Sequence, residues 1–182
     1  MVNKLIAPKT NINVSNILFE NRNIFLHSAV NDESSSEIIK QLISLDNINN
    51  KPIYFWLNSP GGSVSAGFAI TNTMQYIKSK VITIINSEVC SMGGHISVCG
   101  NERWIVSNGV FMVHDMSGGV SHDYSLKVKD RAIFIEQYYQ LLEANMKKHT
   151  KLSQTQLDKS RSGELWLFAN DCLKYGIVDK II

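Results

Sequence analysis

Hydrophobic positions along the chain switch repeatedly between a strand-like and a helix-like period, and each switch predicts an element. Asn23-Ile24-Phe25-Leu26-His27 predicts a short strand. Ser34 and Glu37 then have capping-box spacing, and Ile38, Ile39, Leu42 and Ile43 recur at helical spacing, which predicts a helix over 35–44. Pro52-Ile53-Tyr54-Phe55-Trp56-Leu57 is continuously apolar with Pro at its start, where a missing N–H is tolerated, so it predicts a buried strand. Turn residues 58–63 follow, and Val64, Ala66, Gly67, Ile70, Met74 and Ile77 predict the next helix. The unit repeats with a β-branched strand over 81–85 and a short helix of small residues over 91–98. Trp104-Ile105-Val106 and Val110-Phe111-Met112-Val113 predict two more strands. Residues 124–148 contain neither Pro nor Gly, and Tyr124, Val128, Ile135, Tyr138, Tyr139, Leu142 and Met146 form the apolar stripe of a long helix. A helix near 168–174, stopped by Gly176, and a strand within 177–182 close the chain. Strand and helix in alternation predict an α/β fold with mostly parallel pairing.

Composition narrows the classes. A chain of 182 residues is long enough for one self-sufficient core, so 1–182 is expected to form one domain. With 18 Lys+Arg against 16 Asp+Glu and no basic tail, there is no charge to draw a nucleic acid or an acidic membrane. Cys90, Cys99 and Cys172 cannot all pair and show no C-x-x-C spacing, which points to a reducing, cytoplasmic setting without a disulfide framework, a zinc site or another bound cofactor. No apolar run reaches signal-peptide or membrane-span length.

Three places could carry chemistry. Pro60-Gly61-Gly62 links a buried strand to a helix, and its glycines can bring backbone N–H groups close to a negative charge, although an ordinary turn would look the same. It is neither a P-loop nor G-x-G-x-x-G. Ser91, in Cys90-Ser91-Met92-Gly93-Gly94, stands at a helix start, where a hydroxyl can attack a carbonyl or simply cap the helix. His114 ends a strand and can act as a base or as a plain hydrogen-bonded residue. Cys90 reads as a packed small residue and His95 as a hydrogen-bonded interior one. His27, His122 and His149 have no partner pattern.

Taken together, residues 58–67, then Cys90-Ser91-Met92-Gly93, Met112-Val113-His114 and Tyr175-Gly176-Ile177-Val178-Asp179 resemble the proteolytic subunit of the Clp protease family. The four motifs keep their order and spacing from about residue 15 to the end. The resemblance implies the spiral ClpP/crotonase-like fold of repeated β-β-α units and the activity of a serine endopeptidase. Ser91 would be the nucleophile and His114 the base, with the N–H groups of Gly62 and Met92 as the oxyanion site. Counting back from Tyr175-Gly176 places the family's catalytic aspartate on Glu164, with Asp171 its downstream rival. Glutamate fills this role in some α/β-hydrolases. Glu164 could equally be a solvated helix-start residue. Gly61, Met116, Ser117, Gly118 and Gly119 would contact the substrate, partly by adding its backbone as a strand.

The family also implies heptameric rings stacked into a tetradecamer through a handle helix, here within 121–150, and an ATP-dependent AAA+ unfoldase that delivers unfolded protein. The first 14 or so residues correspond to the family's axial segment and are several residues shorter than usual. Met116 stands where the family has proline, and Ser162-Gly163 where many members carry an Asp-Arg pair. These departures motivate a second reading, a ring subunit with little or no activity. A crotonase-like acyl-CoA enzyme shares the architecture but gives no reason for Ser91 and His114 to occur together.

Overall fold

A computed structural model of the chain describes residues 13–116 and 125–182. Five parallel strands run side by side: β1 (Asn23–Leu26), β2 (Ile53–Ser59), β3 (Val81–Cys90), β4 (Glu102–Ile105) and β7 (Lys180–Ile181). Helices α2 (Asp32–Ile48), α3 (Val64–Tyr76) and α4 (Met92–Ser97) connect them, preceded by α1 (Val14–Glu20). β5 (Val110–His114) pairs in parallel with the far end of β3, and β6 (Glu164–Phe168) lies antiparallel to β5. The long α5 (Ser125–His149), α6 (Gln154–Ser162) and the short α7 (Ala169–Lys174) complete the order. The α/β class expected from the sequence is thus present, with parallel pairing everywhere except β5 with β6.

β3 holds the architecture together. Its first half, with Val81 to Ile85 all buried, pairs with β2 and β4. Past half-buried Asn86, Ser87 and Glu88 are exposed, and the register slips: β2 advances two residues from Leu57 to Ser59 while β3 advances four from Ile85 to Val89. Such a bulge re-aims a strand. Beyond it β3 pairs with β5, ending at Cys90 opposite Met112. The sequence reading stops this strand at 85, because three polar residues end the apolar run.

Other boundaries shift for identifiable reasons. α2 starts at Asp32, not 35, because Asn31 is the N-cap: its Oδ1 accepts from Ser34 N at 2.8 Å, and Ser34 Oγ accepts from Asn31 N at 3.0 Å. The capping box is therefore Asn31 with Ser34, not Ser34 with Glu37. The closing strand shrinks to two residues. Its start is fixed by Arg103, whose Nη2 donates to Asp179 at 2.6 Å and whose Nη1 donates to the carbonyls of Gly176 and His149. The Tyr-Gly-Ile-Val-Asp motif is thus a tie between sheet and last helix, with Gly176 at φ +64 making the turn.

The core packs Phe55, Leu57, Ile70, Ile85 and Phe111 between the sheet and the helices. α5 joins it by its C-terminal half only. Tyr139, Leu142 and Met146 are buried, whereas Ile133, Phe134 and Leu141 are at least half exposed. The stripe expected along the whole helix is therefore covered for about half its length. Among the described residues no helix is long and apolar enough to cross a membrane. All three cysteines are free and buried.

Candidate active site

The end of β3 delivers Ser91 into an unusual conformation. Its φ of +52 and ψ of −122 lie where residues with a β-carbon are rarely found, at a cost of about 1–3 kcal/mol. The surroundings enforce it: Ser91 N donates to Met112 O at 2.8 Å, and His95 N donates back to Ser91 O at 3.2 Å. Ser91 occupies the N-cap position of α4 but makes no side-chain capping bond, so the helix-cap reading of this serine fails. A sharp, strained strand-to-helix turn lifts a hydroxyl clear of the backbone, as in a nucleophile elbow.

The glycine turn after β2 packs directly on this elbow. Gly61 has φ +87, and a β-carbon there would stand 2.5 Å from Cys90 O, 2.7 Å from Met92 N and 2.8 Å from Ser91 Cβ. Gly62 has φ +144 and runs beside Val30, to which a β-carbon would come within 2.3 Å. Val30 N donates to Gly61 O and Ser63 N to Val30 O, each at 2.8 Å, so the turn is tied down on both sides of Gly62. Met92, as the first helical residue, has an N–H with no intrahelical acceptor. We expect Gly61→Ala to lose about 1–3 kcal/mol of stability from strain and clash. Peptide hydrolysis should fall by on the order of 10² through displacement of the elbow, read by thermal melts beside a fluorogenic assay.

A cavity of about 50 Å³ opens at the elbow, lined by Gly62, Val64, Ser91, Met92, His95, His114, Met116 and Leu142. It brings together the expected serine, histidine and oxyanion residues with Met116. Glu164 stands differently. It begins β6, a strand the sequence reading missed, and faces His114 across the antiparallel pair, in register. It is therefore not a helix-start residue. Its carboxylate accepts from Trp166 Nε1 at 2.8 Å, and among the described residues it accepts nothing from His114. Asp171 lies in the first turn of α7, away from the cavity wall. Ser117, Gly118 and Gly119, expected to bind substrate, and the first 12 residues of the expected axial segment lie outside the described residues.

Two neighbours of the elbow are settled by their environment. Burial first, and then Glu88 and Glu164, push the Cys90 thiol up to about 12, so it remains protonated and is no rival nucleophile. His95 is interior as expected, but it is not hydrogen-bonded: its Nδ1 is buried and has no partner. Burial, with a smaller contribution from His114, lowers its pKa to about 4. The unfolded chain takes up this proton near pH 6.5, so between pH 6.5 and 4 the unfolded state binds more protons and stability falls as pH falls. Melts at pH 6.5 and 5.0 should show the parent losing on the order of 2 kcal/mol more than His95→Phe; equal losses would contradict this.

Among the described residues no group of three or more His, Cys, Asp or Glu side chains could hold a metal. An α/β fold with a strained serine at a strand end, a histidine lining the same cavity and a glycine turn packed on the serine is an arrangement compatible with the class of serine hydrolases. Comparison with known proteins narrows that class. The family model described as Clp protease matches residues 7–182. An ATP-dependent Clp protease proteolytic subunit of Streptococcus mutans is 38% identical over 174 residues, 91% of this chain and 86% of the relative. One of Lactococcus lactis subsp. cremoris is 36% identical over 171 residues, 91% of this chain and 85% of the relative. An ATP-dependent Clp protease proteolytic subunit 3 of Synechococcus is 33% identical over 164 residues, 88% and 82% of the two chains. The chain belongs to the Clp protease family.

Proposed function

We infer that this chain is a Clp-type serine endopeptidase in which Ser91 attacks the peptide carbonyl and His114 takes its proton, then returns it to the leaving amine. The oxyanion forms between the N–H groups of Gly62 and Met92, and Glu164 holds the imidazole from across the β5–β6 pair. Gly61 and Met116 shape the cleft, and Ser117, Gly118 and Gly119 continue it along the substrate. The observation that carries the reading is the positive φ of Ser91 without a capping bond. A serine needed only as a cap would have the bond, and a position under no chemical demand would hold glycine at no conformational cost.

The Glu164–Trp166 bond favours the alternative of a weakly active ring subunit. Catalytic hydrogen bonds are often completed only with substrate in place, which reconciles that bond with an active enzyme. A serine-directed fluorophosphonate decides between them: labelling that maps to Ser91 supports the peptidase, whereas no labelling beside a labelled serine peptidase control refutes it. Labelling by a CoA-thioester probe alone would revive the acyl-CoA reading.

The chain acts as one domain in a homo-oligomer, taken here as two heptameric rings in the cytoplasm. Support comes from Ile133 and Phe134, large apolar side chains left open on the half of α5 that the chain itself does not cover. Cys90, Cys99 and Cys172, all free, suit a reducing compartment. ATP dependence is printed in the relatives' names and no P-loop occurs in this sequence, which supports a separate unfoldase that feeds unfolded chains. Native mass measurement of the intact particle tests the assembly.

A further inference from the structure

His95 lies one helical turn beyond Ser91 on α4, and its backbone N–H is bonded to the Ser91 carbonyl. Residues so spaced share a helix face, and the imidazole duly lines the same cavity as Ser91 and His114. Only 6% of the residue is exposed, and Nδ1 is buried with no hydrogen-bond partner. Buried polar groups in folded proteins almost always have partners, and each exception calls for a reason. Besides Gly62, Ser91 and His114, none of which hydrogen-bonds Nδ1, the wall around it is apolar: Val64, Met92, Met116 and Leu142.

The position of that cavity relative to the reacting atoms supplies a reason. A peptide carbonyl presented to Ser91, with its oxygen toward Gly62 and Met92, has its acyl-side residue against those same three residues, which are themselves walls of the cavity. Resting on the peptidase reading above, we infer that His95 determines specificity: the side chain preceding the scissile bond enters this cavity, and a primary amide there, glutamine or asparagine, hydrogen-bonds the imidazole.

An amide suits the site because a neutral imidazole offers one donor and one acceptor, and an amide can answer either. An aliphatic side chain fills the same apolar wall but leaves the nitrogen unpaired, as it is now. A carboxylate would meet no cation, since burial keeps His95 neutral at physiological pH. A lysine would be stripped of water beside apolar walls and beside His114, which becomes positive during turnover. The competing explanation is a trapped water. His95 also borders a second cavity of about 20 Å³, shared with Tyr139, Glu143 and Ser160, which has room for one.

Four fluorogenic peptides that differ only in the residue before the scissile bond separate these readings. Glutamine and methionine have nearly the same length and flexibility, so their ratio isolates the hydrogen bond; glutamine against glutamate isolates charge, and leucine supplies a branched control. We expect the parent to favour glutamine over methionine by about tenfold or more in kcat/KM. His95→Phe should bring that ratio to one or below while Ser91 still reacts with a fluorophosphonate. His95→Gln, which restores an amide and disturbs packing less, should keep the preference and covers the case in which the phenylalanine variant does not fold. A Gln-to-Met ratio equal in the parent and His95→Phe overturns the inference. A parent that labels but prefers methionine overturns it as well. A parent that neither labels nor cleaves any peptide overturns the peptidase reading and this one together, so the two failures are distinguishable.

Discussion

Ser91→Ala removes peptide hydrolysis, by a factor on the order of 10⁶, the loss observed when the nucleophile of a serine protease is deleted. The size follows from what is lost: the covalent intermediate cannot form, and His114 has no hydroxyl proton to accept. What remains is whatever the oxyanion donors and the cleft can do for water. The variant is a clean one. Alanine has the same β-carbon as serine, so it meets the same strain at φ +52, and no capping bond is lost because none exists. Thermal stability and particle mass should therefore match the parent within error. Hydrolysis of a fluorogenic peptide and fluorophosphonate labelling are the readouts. Equal activity in variant and parent would remove Ser91 from the chemistry and move suspicion to a contaminant or another group.

The second large effect belongs to Glu164. Replacing it with glutamine should lower kcat for the same peptide by about 10⁴ with assembly unchanged, because an amide presents its own donor and favours the wrong imidazole tautomer. The geometric basis is the in-register pairing of His114 with Glu164, which puts both side chains on one face of the β5–β6 ribbon. Against it stands the Trp166 indole, which holds the carboxylate at 2.8 Å. Trp166→Phe isolates that competition. Freed from the indole, the carboxylate should support activity equal to or above the parent's, and a ≥10-fold drop in that variant would show that the tryptophan bond orients Glu164 for catalysis. If Glu164→Gln retains activity within about threefold, the orienting carboxylate is elsewhere.

How much of this could be read from the residues depends on whether a signal was local. Periodicity located β1, β2, α3 and β5 to within a residue or two, since each is an uninterrupted apolar run or stripe. It failed at β3, where the strand continues past Asn86-Ser87-Glu88 because a neighbour, β5, arrives from 20 residues downstream to pair with it. It failed again at β6, although Glu164–Phe168 alternates exposed and buried in strict period two. There the exposed positions carry Trp166 and Phe168, so the hydrophobic string looks continuous and its alternation is hidden. At the candidate site, Ser91, His114 and Gly62 were identified by motif, and the cavity does bring them together. The backbone conformation of Ser91, the indole on Glu164 and the unpartnered nitrogen of His95 were not legible. The first and last depend on distant segments, and the indole bond, though between residues two apart, forms only because Glu164 and Trp166 share one face of a strand that the hydrophobic pattern hides.

β3 also ties the site to the molecule's deepest protection. Its backbone is hydrogen-bonded to β2, β4 and β5 in turn, and Val81 to Ile85 and Val89 to Cys90 are all buried. Strands with such cover exchange their amide hydrogens only through global opening. The residue lifted at the end of β3 therefore has no private route to disorder. Partial unfolding of the termini or of the projecting half of α5 leaves the elbow standing, and heat that disrupts it disrupts everything. On the peptidase reading, the fraction of protein that a covalent probe of Ser91 titrates should therefore equal the folded fraction.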